Sequence, residues 1–424
     1  MEAVRSGPAT VSGDVLARVR ERLASGPGPP TSDEVEAAVR ECGTVLGSRA
    51  LVEVVRAVRA DVLGAGPLQH LVEDPEVTDV LVNGPREVWV DRGLGLSLCP
   101  LDLGDADSVR ALAVRLAAIG GQRLDEASPL ADARLPDGTR LHAVLPPLSG
   151  ECALISLRVP RPRAFTLEEL VTCGTIAPAL APVLRALIAA RASLAVSGAT
   201  GSGKTTILST LLSLVPPTER IVCIEEAAEL NPTHPHVVHL VPRRANVEGA
   251  GEVELTTLVR HALRMRPDRL VLGECRGPEV RDVLGALNTG HEGGCVTVHA
   301  NTAADVPARF EALGALAGMS RDVVAAQVAS AIDAVLHLRR DGALRYLAEL
   351  ALVRRGADGT LTMASAVRVD PRGLVELGPG WPDLAARLGL SSLELRGVVP
   401  TGARAGASAG IPPGPVHAVP AAAI

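Results

Sequence analysis

Residues 194–206 read LAVSGATGSGKTT. An apolar run ends at Ser197 and a helical pattern starts near Lys204. Between them stands a fixed spacing of glycine, four residues, glycine, lysine and a hydroxyl. Gly198, Ala199, Thr200, Gly201, Ser202, Gly203, Lys204 and Thr205 fill it, with Thr206 behind. Glycines let the loop turn its backbone N–H groups inward, and the helix start adds partial positive charge, so a strand–loop–helix of this kind cradles phosphates. Lys204 supplies a compact ammonium to the β- and γ-phosphates, and Thr205 offers a hydroxyl to Mg2+. The pattern predicts an α/β nucleotide domain that takes ATP with Mg2+.

Lys204 is the only lysine among 42 basic residues. Arginine serves everywhere else. A guanidinium is planar and larger, so it does not replace a point charge inside a phosphate cradle. A GTPase reading is disfavoured too, because the guanine-reading motif NKxD needs a second lysine.

Working outward, RLVLGE (269–274) is an apolar strand ending in an acid, suited to deliver Glu274 to the magnesium and the attacking water. IVCIEEAAEL (221–230) places Glu225, Glu226 and Glu229 after another strand, where acids hold water or metal or simply start a solvated helix. TGHEGGCVTVHANT (289–302) carries His291 and His299, and a histidine at the strand end can sense a γ-phosphate or satisfy a structural bond. Charge that develops in phosphoryl transfer needs arginines, for which Arg134, Arg140, Arg264 and Arg266 are candidates. HPHVVH (234–239) resembles a metal cluster only on paper, with no supporting cysteine or acid constellation.

Helices and apolar strands alternate from Leu180 through LAVSG, IVCIEE, VVHLV, LVLGE, CVTVHA and AVLHLRR, which predicts a helix-flanked, largely parallel sheet. Before it, VTDVLVNG and VWVD read as a hairpin about Asn83–Gly84, Ser108–Ile119 as a helix capped by Asp107 or Ser108, ARLPDGTRLHAVLPP as a hairpin about Asp137–Gly138, and ALISLRVP as a strand. The expected organisation is a tail over 1–13, a helical unit over 14–62, an α/β domain over 63–160, the nucleotide domain over 161–350, a mixed segment over 351–400, and a tail over 401–424. A Pro/Arg-rich linker, RVPRPRAFT, leads from the second domain into a helix at Thr166–Val171.

Composition narrows the function. The net charge is −6 and only five residues are aromatic, which argues against a polybasic or base-stacking nucleic-acid binder. Seven scattered cysteines form no CxxC pair, which disfavours a disulfide framework or zinc site and suits a reducing cytoplasm. No signal peptide is expected from the opening residues. The longest apolar stretch, about Ile176 to Val196, is interrupted by Arg185 and Arg191 and does not read as a membrane span.

The order GATGSGKTT, IEEAAEL, LRMRPDRLVLGE, NTGHEGGCVTVHAN resembles the type II/type IV secretion ATPases, with their Walker A, Asp box, Walker B and His box in sequence. GPLQHLVEDPEVTDVLVNGP and DEASPLADARLPDGTRLHAVLPP are similar to the CpaF-like branch, which serves tight-adherence (Tad/Flp) pili and related conjugation-type systems. The likeness covers roughly residues 60–350. It implies a RecA-like P-loop domain preceded by a smaller α/β domain, and the helical spacing over 14–62 adds a short helical unit before them. It also implies a homo-hexamer at the cytoplasmic face of the membrane, polytopic inner-membrane platform proteins as partners, and no direct contact with nucleic acid. On this likeness Gly198 to Thr206 bind ATP, Thr205 and Glu274 hold Mg2+, and Glu225, Glu226 and Glu229 fill the Asp box. His291 and His299 fill the His box, and Arg134 and Arg140 match an arginine hairpin that reaches a γ-phosphate. Glu226 stands where the family commonly has Asp, so either Glu225 or Glu226 positions the water.

Two other readings share the core: a conjugation-type motor that drives DNA or protein transfer, and a nucleotide-gated scaffold without turnover. Glu274 argues against the scaffold, since the water-activating acid is present.

Overall fold

In a computed structural model of the chain, the structure describes residues 64–93, 95–160, 163–243, 251–390 and 399–400, with a few isolated positions before residue 64. The expected tails lie outside these residues, as does nearly all of the expected helical unit over 14–62. The chain divides into two units at Arg161–Pro162.

The first unit is a six-stranded antiparallel sheet of β1 (Asp79–Gly84), β2 (Glu87–Asp91), β3 (Leu96–Cys99), β4 (Leu130–Arg134), β5 (Arg140–Val144) and β6 (Leu154–Arg158), ordered β3-β2-β1-β6-β5-β4. Side chains alternate across a strand, so Val80, Val82, Val88, Val90, Leu141 and Ile155 share one buried face. Helix α1 (Ala106–Ile119) covers that face with Val109, Leu112, Ala113 and Leu116. Two local expectations change. Asp105 caps α1, accepting from the Ser108 N–H at 2.8 Å, because its extended backbone lets the carboxylate reach back. In the first hairpin Gly84 pairs with Glu87, so Pro85 and Arg86 form the tip while Asn83 lies in a bulged strand end.

The second unit holds ten strands in the order β16-β15-β14-β13-β12-β7-β11-β10-β8-β9. These are β7 (Leu194–Gly198), β8 (Ile221–Ile224), β9 (Val237–Leu240), β10 (Arg269–Leu272), β11 (Cys295–Val298), β12 (Ala334–Asp341), β13 (Leu344–Arg355), β14 (Leu361–Val369), β15 (Val375–Leu377) and β16 (Val399–Pro400). From β9 to β12 every neighbour is parallel. Both faces are therefore covered, and the strands read as continuous apolar runs. Leu194 and Val196 of β7 pack into one core with α2 (Leu167–Thr172), α3 (Leu180–Ala189), α4 (Lys204–Leu212) and α9 (Trp381–Leu388). Ala195 points the other way, into a core with α5 (Leu255–Ala262), α6 (Val280–Leu287), α7 (Val306–Leu316) and α8 (Arg321–Ala331). The expected linker helix is α2, capped by a Thr166–Glu169 box.

The region after residue 350 differs from expectation. It is not separate, because β13 runs through that position and pairs antiparallel with the whole of β12. Its Leu347, Leu350 and Leu352 bury in the core beneath β7, which ties β13 to β15 into the same sheet. In parallel sheets ligands bind beyond the carboxyl ends of the strands. Here that edge gathers the ends of β7, β8, β10 and β11.

Candidate active site

The loop after β7 is shaped by its glycines. Gly198 has φ +150, and a Cβ there would stand 2.5 Å from the Leu338 carbonyl oxygen and 2.6 Å from Ser202 Oγ. Gly203, at φ +96, turns the chain into α4. Lys204 folds back over the loop, its Nζ donating to the carbonyls of Gly198 at 3.0 Å and Ala199 at 2.8 Å. Burial lowers its pKa; Glu274 opposes that shift and Arg276 adds to it. Ser202 Oγ is buried without a hydrogen-bond partner among the described residues. An ammonium that rests only on its own loop carbonyls can exchange them for an oxyanion. Behind the loop Ser197 Oγ and His337 Nδ1 bond at 2.9 Å, fully buried. Above it Arg345 Nε donates to the Gly201 carbonyl at 2.9 Å.

Glu274 follows β10 and is held between a guanidinium and an imidazole. Arg276 Nη2 lies 2.7 Å from its Oε2, and His299 Nε2 pairs with its Oε1. Burial pushes the Glu274 carboxyl up, but Arg276 and His299 outweigh it and hold it below the ordinary range. Burial and Lys204 together depress His299 despite Glu274. Glu274 is the main group that raises the Arg276 pKa, and the charges of Glu226 and Glu229 add to it. Lys204, Glu274 and His299 therefore share one charge cluster at the carboxyl ends of adjacent strands. Thr205 is the second residue of α4 and is half-buried.

Glu225 has other work. It is buried, its Oε1 accepts from the N–H groups of Glu229 at 3.0 Å and Leu230 at 2.9 Å, and its Oε2 lies 3.3 Å from His239 Nδ1. It braces the loop that carries Glu226, which is exposed. No helix follows that strand, so the acids stand in a loop and not in a helical first turn. Glu279 plays the matching part after β10, accepting from the N–H groups of Arg276 at 2.7 Å and Gly277 at 2.8 Å.

His291 is not brought to this cluster. It precedes β11, with Nδ1 3.3 Å from the Ala286 carbonyl, whereas His299 follows β11. A strand of that length separates its two ends by roughly 13 Å. Arg134 and Arg140 lie in the first unit, where they are register partners on β4 and β5, and Arg140 also faces Arg158 on β6. Arg264 and Arg266 are exposed in the turn after α5. No metal-binding group of His, Cys, Asp or Glu occurs among the described residues. Residue reading missed Arg276, Glu279, His337 and Arg345. Arg276 had a signal, since it stands two positions after the strand-end acid.

A family model described as Type II/IV secretion system protein matches residues 61–347. The chain is 48% identical over 347 residues to a putative conjugal transfer protein of Mycobacterium tuberculosis strain H37Rv, covering 80% of this chain and 98% of that one. It is 28% identical over 319 residues to the type IV secretion system protein VirB11 of Brucella suis biovar 1, covering 67% and 88%. Among solved structures, the VirB11 ATPase from the Brucella suis type IV secretion system in complex with sulphate matches at 26% identity and TM-score 0.35, over 70% of this chain and 95% of that one. The pilus retraction motor PilT with bound ADP matches at 19% identity and TM-score 0.46, over 70% and 80%.

Proposed function

Because this chain belongs to the Type II/IV secretion system protein family, we propose that it hydrolyses ATP to ADP and phosphate as the motor of a secretion or pilus machine. The observation that carries this reading is Lys204 and Glu274 sharing one charge cluster beside a phosphate-shaped loop. In this reading Lys204 exchanges its loop carbonyls for the terminal phosphate. Thr205 and Glu274 hold Mg2+, which when bound neutralises charge on the phosphate oxygens. Water attacks the γ-phosphorus, the bond to the β,γ-bridging oxygen breaks, and Glu274 takes the water's proton. Glu226 is the Asp-box acid that orients this water, because Glu225 spends both carboxylate oxygens on the fold. Arg134 and Arg140 supply transition-state charge when a ring assembles.

The motor is read as a homo-hexamer working with polytopic platform proteins at the cytoplasmic face of a membrane. Among the described residues no helix is long and apolar enough to cross one. The CpaF-like stretches favour Tad/Flp-type pilus assembly. The second reading, conjugation-type transfer, is favoured by the relatives described as conjugal transfer proteins in Mycobacterium tuberculosis and Rhizobium radiobacter.

The test uses the single lysine. An amine-reactive reagent should mark the N-terminal amine and Lys204, and Mg-ATP should protect Lys204 from it. Lys204→Ala should lose nucleotide binding, and Glu274→Gln should bind ATP but turn it over at least about a hundredfold more slowly. Equal labelling with and without saturating nucleotide, or near-normal turnover by Glu274→Gln, would defeat the reading.

A further inference from the structure

A cleft of about 540 Å3 opens beside the phosphate loop, and one wall of it has no place in the motifs above. Ala199, Thr200 and His299 form the loop side, and Asp305, Ala308, Arg309 and Ala312 form the other. Ala308, Arg309 and Ala312 recur at helical spacing on α7 and form one stripe of that helix, with Asp305 at its N-cap. The opposite stripe, Val306, Phe310 and Leu313, packs into the core and fixes how α7 is turned. Two alanines flank Arg309 and leave room around its guanidinium.

Arg309 is half-buried, and its Nε–H is sealed from solvent without a hydrogen-bond partner among the described residues. The polar side chains of this region have partners elsewhere. The Asp305 carboxylate accepts from Thr302 N at 3.0 Å and Thr302 Oγ1 at 2.7 Å. Glu279 spends Oε1 on the N–H groups of Arg276 and Gly277. His299 is already paired with Glu274. A buried guanidinium N–H without an acceptor costs free energy, and an anion in the cleft removes that cost. The same cleft is walled by the first residues of the phosphate loop.

We propose that Arg309 is a further ligand of the nucleotide site and binds the phosphate group beyond the β-position. Resting on the ATPase reading, this gives the chain a cation that distinguishes ATP from ADP. Free phosphate left after hydrolysis presents the same chemistry to Arg309, so the cleft also serves as its first resting place.

The test is isothermal titration of the full chain in Mg2+ with the β,γ-imido analogue of ATP, with ADP, and with inorganic phosphate added to ADP-saturated protein. Arg309→Gln should bind the ATP analogue about tenfold or more weakly while ADP binding stays within about twofold. Arg309→Lys should recover part of the loss. Ala312→Glu, at an exposed position one helical turn away, should place a carboxylate against Arg309 and weaken the ATP analogue alone. It keeps the proposal testable if Arg309→Gln misfolds. If wild type binds phosphate on top of ADP and Arg309→Gln does not, the free product uses the cleft as well; phosphate binding equally to both limits Arg309 to ATP. Equal weakening of the ATP analogue and ADP, or none, overturns the proposal. A wild-type chain that binds neither nucleotide overturns the ATPase reading itself.

Discussion

The backbone of Gly273 passes so close to Glu225 that a Cβ there would stand 2.6 Å from Glu225 Cγ. Two acidic motifs almost fifty residues apart are thus packed backbone against side chain, at the ends of the paired strands β8 and β10. Gly273 also donates its N–H to the Ile224 carbonyl at 2.8 Å and accepts from Thr297 Oγ1, so it joins three strand ends. Gly273→Ala should therefore force Glu225 or the β10 end aside. The expected loss is about 1–3 kcal/mol, as for other overpacked core sites. Turnover should fall as well, since Glu274 is the next residue. Urea unfolding and steady-state ATPase assays read the two effects. An alanine variant with wild-type stability and rate would mean that the contact is slack.

The pair of Glu274 and His299 predicts an acid limb in stability. Burial and Lys204 hold His299 below its ordinary pKa of 6.5, and Glu274 lies below its ordinary 4.5. A group whose folded pKa is depressed stabilises the fold above its unfolded value, and loses that contribution as pH falls through the folded value. The wild type should thus lose stability as pH drops below about 6.5 through His299, and at lower pH through Glu274. His299→Asn should be less stable at pH 7.5, yet flatter between pH 7 and 5. Urea midpoints across that range decide it, and parallel curves for the two proteins would rule out His299 as the source.

Arg134, Arg140 and Arg158 stand in register across β4, β5 and β6. If the row serves a nucleotide site within an assembled ring, Arg134→Ala and Arg140→Ala should keep ATP binding and lose turnover by about 10³-fold. Activity per chain should also rise with protein concentration as rings form. Wild type mixed with either variant should lose activity more steeply than dilution. A flat concentration series with linear mixing curves would leave an ATPase that works as an independent chain.

The phosphate loop, the strand before it and the helix after it were legible in residues 194–206 because every interaction that builds them is local. Glycines take left-handed turns, the helix bonds four residues along, and the strand is an apolar run. The same holds for the strand ending at Glu274, the six-strand alternation and the second hairpin about Asp137–Gly138. The division of labour between Glu225 and Glu226 was not legible. Both are glutamates in one stretch, and only the packing of β8 against β10 shows that Glu225 faces inward to hold N–H groups while Glu226 is exposed.

Distance along the chain hid the rest. His291 and His299 share one motif and stand eight positions apart, yet β11 runs between them and carries them to opposite ends of that strand. Residues 351–377 have no phosphate motif and weak periodicity, but β13 pairs with β12, so they extend the nucleotide sheet. Arg309 looked like any of the chain's many arginines until the orientation of α7 set it opposite Thr200. Sequence by itself determined the strand, loop and helix around Lys204, because the cradle is a local backbone shape with one lysine. Tertiary structure alone decided which distant charges surround that cradle, because strand pairing and the burial of the Val306, Phe310 and Leu313 stripe set the direction in which each side chain points.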